Sequence, residues 1–235
     1  MNIKAAQIEK MFDKIAFRYD LLNKILSFGL DKHWRKKGIK SLEKYRPKNI
    51  IDIACGTGDL SITANKILNP DKIIAVDFSE NMLKIAHQKI EKLNLADKIF
   101  LEKQDCSQLN FPNEQFDAAI IAFGLRNFEN VDKSLSEINR ILCNDGHLMI
   151  LEMSVPENVF YKIFYKMYIK LIPFIGKIFA KNESAYRYLP KSIDEFPQNK
   201  ELINIIEKNG FSRSNFLKLN FEVCTLYTAK KNEKL

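Results

Sequence analysis

The sequence predicts an α/β fold built on a mostly parallel, doubly wound sheet, and three observations carry that expectation. Short, continuous apolar runs recur at 49–54, 72–76, 116–122 and 147–152. Continuous rather than alternating runs are the pattern of parallel strands covered on both faces. Segments with helical spacing lie between them, at 59–68 and 79–93 after the first two runs and at 132–142 before the fourth. Strands alternating with helices build βαβ units. Finally, the first run ends in a glycine-bearing turn, Asp52-Ile-Ala-Cys-Gly-Thr-Gly-Asp59, where a strand passes into a helix.

The remaining elements follow in order. Residues 1–45, aromatic and basic from Phe12 to Tyr45, fall outside the βα pattern and read as an N-terminal helical cap. Ser79 precedes an amphipathic run and is placed to cap it. A short strand is expected at 98–102. Asn144-Asp145-Gly146 stops a helix and turns into the next strand. Residues 157–197 hold five of the eight tyrosines and read as an inserted helical lobe. A strand then starts at Phe211, after Gly210, and another spans 221–229. Two late strands after a long insert give the sheet an antiparallel finish. The expectation is a single domain, 1–235, around a seven-stranded sheet.

Composition narrows the classes. A chain of 235 residues with 46% hydrophobic content can bury one sizeable core. The four cysteines form no CxxC pair, which points to a reduced, cytoplasmic protein. The first ten residues lack the apolar core of a signal peptide. No run of about 18 uncharged apolar residues is present to span a bilayer. The net charge of +8 suits nucleic acid, an anionic membrane or an acidic ligand.

Gly56 and Gly58 let backbone approach a ligand closely, and the helix that follows offers free N–H groups. Such a loop suits a carboxylate or a phosphate. Asp77 closes the second strand, about twenty residues on, where acidic residues of nucleoside-binding folds accept hydrogen bonds from ribose. A dinucleotide site would show G-x-G-x-x-G, but Ser61 holds the third position and Asp59 would repel a pyrophosphate. A zwitterionic amino acid joined to a nucleoside fits better, and S-adenosylmethionine is such a ligand. Asp105, with the Cys106 backbone beside it, follows the short strand and is placed to accept from an adenine amino group.

The longer motifs are more specific. Tyr19-Asp-Leu-Leu-Asn-Lys-Ile-Leu-Ser-Phe-Gly29 with Trp34-Arg35, then Phe123-Gly-Leu-Arg-Asn127, then Arg140-Ile-Leu142 with Gly146 and Leu151-Glu-Met-Ser154, resemble signatures of the UbiE/MenG family over nearly the whole chain. The resemblance implies a class I S-adenosylmethionine-dependent methyltransferase fold. It also implies C-methylation of demethylmenaquinol or of a ubiquinone precursor, and a cofactor site lined by Thr57, Asp77, Asp105 and Cys106. Ala122 stands where some relatives carry serine, and Cys143-Asn144-Asp145 replaces a Lys-Pro-Gly-type turn.

A methyl sulfonium is already a strong electrophile, so no metal is expected. The enzyme must align a nucleophilic ring carbon with the methyl group and favour the phenolate. Arg126, just past the third of the long runs, is the candidate for holding the developing oxyanion, with Asn127 as a second donor. Tyr19 and His33, from the cap, are candidates for ring contact or proton acceptance.

In 160–180, Lys162, Lys166 and Lys170 recur every four residues beside an apolar face, and Pro173 is expected to break the helix. A basic amphipathic helix of this kind can lie in a membrane interface or wall a tunnel for an isoprenoid tail. The expectation is a cytoplasmic protein, with peripheral contact to the inner face of the membrane left open. Nucleic acid is disfavoured, because the lysines interleave with apolar residues rather than line an exposed groove. The naphthoquinol is preferred on the Ala54-Cys55 loop. The alternatives are the benzoquinol, another small molecule or lipid, or a non-catalytic adaptor. Whether the chain pairs as a homodimer is left open.

Overall fold

The structure, a computed structural model, describes residues 3–180 and 183–232, without the side chains of 3–7, 9, 14, 171–180 and 183–187. Its strands are β1 (Asn49–Ile53), β2 (Lys72–Asp77), β3 (Ile99–Lys103), β4 (Phe116–Ala122), β5 (Leu142–Met153), β6 (Phe211–Leu219) and β7 (Cys224–Lys231). Its helices are α1 (Ile3–Leu26), α2 (Leu30–Lys40), α3 (Asp59–Leu68), α4 (Glu80–Lys92), α5 (Val131–Ile141), α6 (Val159–Ala180), α7 (Glu183–Glu195) and α8 (Lys200–Lys208). The seven strands form one sheet in the order β3-β2-β1-β4-β5-β7-β6. β1 to β5 are parallel, and β7 enters antiparallel between β5 and β6. The chain order reverses between β1 and β4, and ligands of open α/β sheets bind outside the carboxyl ends of the strands at such a point.

The apolar runs are continuous because both faces are covered. Ile51 and Ile53 enter one core cluster while Ile50, pointing to the opposite face, enters the other, and all three are fully buried. Ile74 and Val76 divide from Ile73 and Ala75 in the same way. Helix punctuation follows local chemistry. The Ser79 hydroxyl accepts from Met82 N–H at 3.2 Å and starts α4. Asn158 accepts from Phe160 N–H at 3.0 Å and opens α6. Gly38 lets α2 lie close on β5, since a Cβ there would sit 3.0 Å from Leu151 and Met149.

Three expectations are corrected. β5 begins at Leu142, not 147. Leu142 pairs with Phe116 and His147 with Ala118, so residues 143–146 bulge out of the ladder. The left-handed residue there is Asp145, with φ 67°. Gly146 is needed for space instead, because its Cβ would meet the Cys143 carbonyl at 2.8 Å. The last strand starts at Cys224, because Asn220–Glu222 forms a single 3-10 turn with Phe221 at φ 56°. Finally, α6 runs through position 173 without a break. A proline removes one backbone donor, and a 22-residue helix keeps the rest of its ladder.

Candidate active site

The loop after β1 carries left-handed φ at Ala54 (56°), Gly56 (54°) and Gly58 (81°). Its position is fixed by Asp77 at the end of β2. Asp77 Oδ2 accepts the Gly56 N–H at 2.8 Å, and Oδ1 accepts the Ser79 N–H at 2.9 Å. One carboxylate therefore joins the glycine loop to the cap of α4. Burial pushes Asp77 up to about 6, against the pull of these N–H groups. The carboxylate has further lone-pair capacity for another donor.

Thr57 and Gly58 take structural places in the same loop. The Thr57 hydroxyl donates to Asp20 Oδ1 at 2.6 Å and accepts from Lys89 at 2.9 Å. Lys89 also pairs with Asp20 at 2.5 Å and Asp59 at 2.7 Å, and Asp59 pairs with Arg35 at 3.1 Å. A second tie runs from the Ser79 hydroxyl to Asp13 at 2.6 Å. Asp13 and Asp20 are seven residues apart, two turns of α1, so one face of that helix clasps the loop and the start of α4. Gly58 passes against α4, where its Cβ would lie 3.2 Å from that of Ala86.

Asp105 and Cys106 follow β3, one strand over. Gln104 N–H donates to the Asp77 carbonyl at 3.1 Å, which sets this turn beside β2. Asp105 is exposed and accepts from Ser107 N–H at 2.8 Å. Cys106 is partly buried with its sulfur 3.6 Å from the Ser134 hydroxyl, and burial pushes the thiol up to about 12. The cleft between the glycine loop and β4 is lined by Gly56 and Asp77 but also by Phe78, Met82, Ala122 and Phe128. Ala122 was marked from sequence as a departure from relatives; Phe78, Met82 and Phe128 were not singled out, because apolar residues flanking a loop give no signal of their own.

Beyond the cleft lies a largely apolar cavity of about 610 Å³ walled by α1, α2, α6 and α7. Phe12, Tyr19 and Phe123 line both spaces. Arg126 reaches the cavity from the turn after β4. Its Nη1 donates to Glu152 Oε1 at 2.5 Å and to the Phe123 carbonyl at 2.7 Å. Burial opposes the charge on Arg126, but Glu152, then Tyr19, outweigh it and hold its pKa above the ordinary value. Its Nε is buried without a partner among the described residues. Glu152, at the end of β5, was part of a sequence motif, but its pairing with Arg126 joins positions 26 residues apart and leaves no local trace.

Asn127 lines the cleft, and its side-chain carbonyl accepts the Tyr188 hydroxyl at 3.0 Å. Burial raises the pKa of the Tyr19 phenol above its ordinary value, so this group keeps its proton. His33 is exposed on α2 and lines neither space, because the inward face of that helix belongs to Asp31, Trp34 and Arg35. That removes His33 as a ring contact.

A switch-point cleft anchored by the carboxylate of β2, opening on a greasy chamber, on a sheet whose last strand alone is antiparallel, is the arrangement of the Rossmann-like methyltransferase fold. Solved structures share this fold. A SAM-dependent methyltransferase from Thermotoga maritima matches with TM-score 0.64 and 20% identity, over 95% of this chain and 99% of that one. The [4+2]-cyclase SpnF matches with TM-score 0.69 and 14% identity, over 96% and 95%. Sequence comparison goes further: residues 1–231 match the ubiE/COQ5 methyltransferase family, and the chain belongs to it. A demethylmenaquinone methyltransferase of Bacteroides fragilis is 46% identical over 97% of this chain and 94% of its own length. A ubiquinone/menaquinone biosynthesis C-methyltransferase UbiE of Geotalea daltonii is 38% identical over 97% of each.

Proposed function

We propose that this enzyme transfers a methyl group from S-adenosylmethionine to a ring carbon of a polyprenylated quinol, demethylmenaquinol in the first place. The observation that carries the reading is the shared wall: Phe12, Tyr19 and Phe123 face both the nucleoside cleft and the large cavity. A donor in one and an aromatic ring in the other meet there. The cleft residues fit the donor. Asp77 has lone pairs left for ribose hydroxyls, Phe78 and Met82 offer apolar surface to a base, and Gly56 adds no side chain near the loop. Asp105 and Cys106, at the next strand end, border the base from outside the cleft.

When bound, S-adenosylmethionine supplies an electrophilic methyl group. The chain's part is to orient the ring and favour its phenolate. Arg126 does this as an oriented donor whose charge Glu152 balances, so the pocket holds an oxyanion by hydrogen bonding at Nε rather than by excess positive charge. Asn127 and Tyr19 set the edges of the same opening. A naphthoquinol is preferred to a benzoquinol because the Bacteroides relative at 46% identity carries the demethylmenaquinone name.

The cavity's rim supports a membrane-borne substrate. Phe28, Phe164 and Phe221 line the cavity yet are 80%, 70% and 62% exposed, so they ring its mouth. Exposed Phe160, Ile163 and Met167 extend the patch along α6, where Lys162, Lys166 and Lys170 also face solvent. Among the described residues no helix is long and apolar enough to cross a membrane. A surface docking with the tail left in lipid is the arrangement this suits. The test is competition between reduced demethylmenaquinone and a reduced benzoquinone analogue for labelled methyl groups. Label on the naphthoquinol is expected; label on the benzoquinol alone would reverse the substrate assignment.

A further inference from the structure

Two buried polar groups at the large cavity have no hydrogen-bond partner among the described residues: Arg126 Nε and the Tyr165 hydroxyl. Tyr165 is 7% exposed and comes from α6, whereas Arg126 comes from the turn after β4. The two reach the cavity from different walls. Other polar groups there are already engaged. The Tyr168 hydroxyl donates to the Leu26 carbonyl, Tyr188 to Asn127, and Ser27 to Asp31 at 2.9 Å. Buried polar groups are paired as a rule. Neither atom is open to the cavity as it stands, so a small turn of its side chain must bring it to a ligand; an orphan on a side chain that lines a ligand-sized apolar cavity is a contact awaiting that ligand.

The chemistry of the two orphans differs. Arg126 Nε only donates, which suits the ring oxygen that loses its proton. A tyrosine hydroxyl both donates and accepts, which suits an oxygen that stays a neutral hydroxyl. Burial raises the Tyr165 phenol above its ordinary value, so it remains protonated.

We propose that Tyr165 is a specificity-determining residue that hydrogen-bonds the second oxygen of a 1,4-dioxygenated ring while Arg126 holds the first. This rests on the quinol reading above. The pair would select a hydroquinone over a ring with a single hydroxyl, because the latter leaves Tyr165 buried and unpaired.

The test uses the single tryptophan, Trp34, which lines the cavity and reports binding by quenching of its fluorescence. A short-chain prenylated 1,4-naphthoquinol and its analogue lacking the 4-oxygen are titrated without methyl donor. Wild-type protein is expected to bind the quinol about 10- to 100-fold more tightly than the analogue. In Tyr165→Phe that preference should collapse, through weaker quinol binding with the analogue unchanged within about twofold. Calorimetry with S-adenosylmethionine should give wild-type affinity and show the variant folded. Equal affinities of wild type for the two rings would overturn the inference without need of the variant. So would a Tyr165→Phe protein that keeps the preference. If wild type methylates no quinol at all, the substrate reading itself fails; if it does and the preference is absent, only the role of Tyr165 fails.

Discussion

Arg126 and Glu152 form a buried ion pair beneath the cavity, Nη1 to Oε1 at 2.5 Å, with side chains only 7% and 2% exposed. Glu152 also accepts from the backbone N–H of Arg126 at 3.2 Å and of Met153 at 2.9 Å. The carboxylate thus fixes both the turn after β4 and the end of β5. Removing one partner of such a pair strands the other charge in the interior. Glu152→Gln is expected to lower stability by about 3 kcal/mol in urea denaturation.

Arg126→Gln separates chemistry from cofactor binding. Loss of a donor aimed at a developing oxyanion should reduce kcat about 10²- to 10³-fold. Calorimetry should show S-adenosylmethionine binding little changed, because Asp77 and the glycine loop lie on the other side of the shared wall. A parallel loss of cofactor affinity would contradict that division.

Asp77 predicts a pH dependence of cofactor binding. Its carboxyl titrates near 6, and only the ionised form offers all its lone pairs to ribose. Affinity for S-adenosylmethionine should be about tenfold weaker at pH 5 than at pH 8. Asp77→Asn should bind weakly at both pH values, with the difference removed.

Asp52 predicts the opposite sense for stability. It is fully buried, accepts from Ser61 Oγ at 2.5 Å on one oxygen, and has no partner on the other among the described residues. Burial pushes it up to about 7. The unfolded chain releases this proton near pH ~4, while the folded chain holds it until about 7. Stability is therefore lost as pH rises through that window and is level above it. In Asp52→Asn the urea midpoint should fall less steeply between pH 4 and 7.

The lysines of α6 test the membrane surface. Each should add about 1 kcal/mol of attraction to an anionic bilayer, or about fivefold in partition. Lys162→Gln with Lys166→Gln is expected to weaken sedimentation with anionic vesicles about 25-fold and leave neutral vesicles unaffected. Activity on detergent-dispersed substrate should be unchanged.

The central strands were legible because burial on both faces writes uninterrupted apolar runs, as at Ile50, Ile51 and Ile53. The Asp77–Gly56 pairing was approachable too, since a strand end and a glycine turn each have a local pattern. The clasp of Asp13 and Asp20 on Ser79, Thr57 and Lys89 was not read, although two aspartates seven apart on one helix mark a common face. Tyr165 was hidden differently. It is one aromatic among many in 160–180, and only the cavity distinguishes it from its exposed neighbours. Pro173 misled because the loss of a single backbone donor does not stop a 22-residue helix, and Asp145 because the bulge needs Gly146 for space rather than for φ.

The central claim is that a methyl donor and a quinol ring meet across Phe12, Tyr19 and Phe123. Its most direct test is a single turnover with ¹³C-methyl S-adenosylmethionine and reduced demethylmenaquinone, the product read by NMR. The account predicts the label as a methyl on the quinol ring carbon. Label on a ring oxygen, or none while calorimetry shows the donor bound, would contradict it.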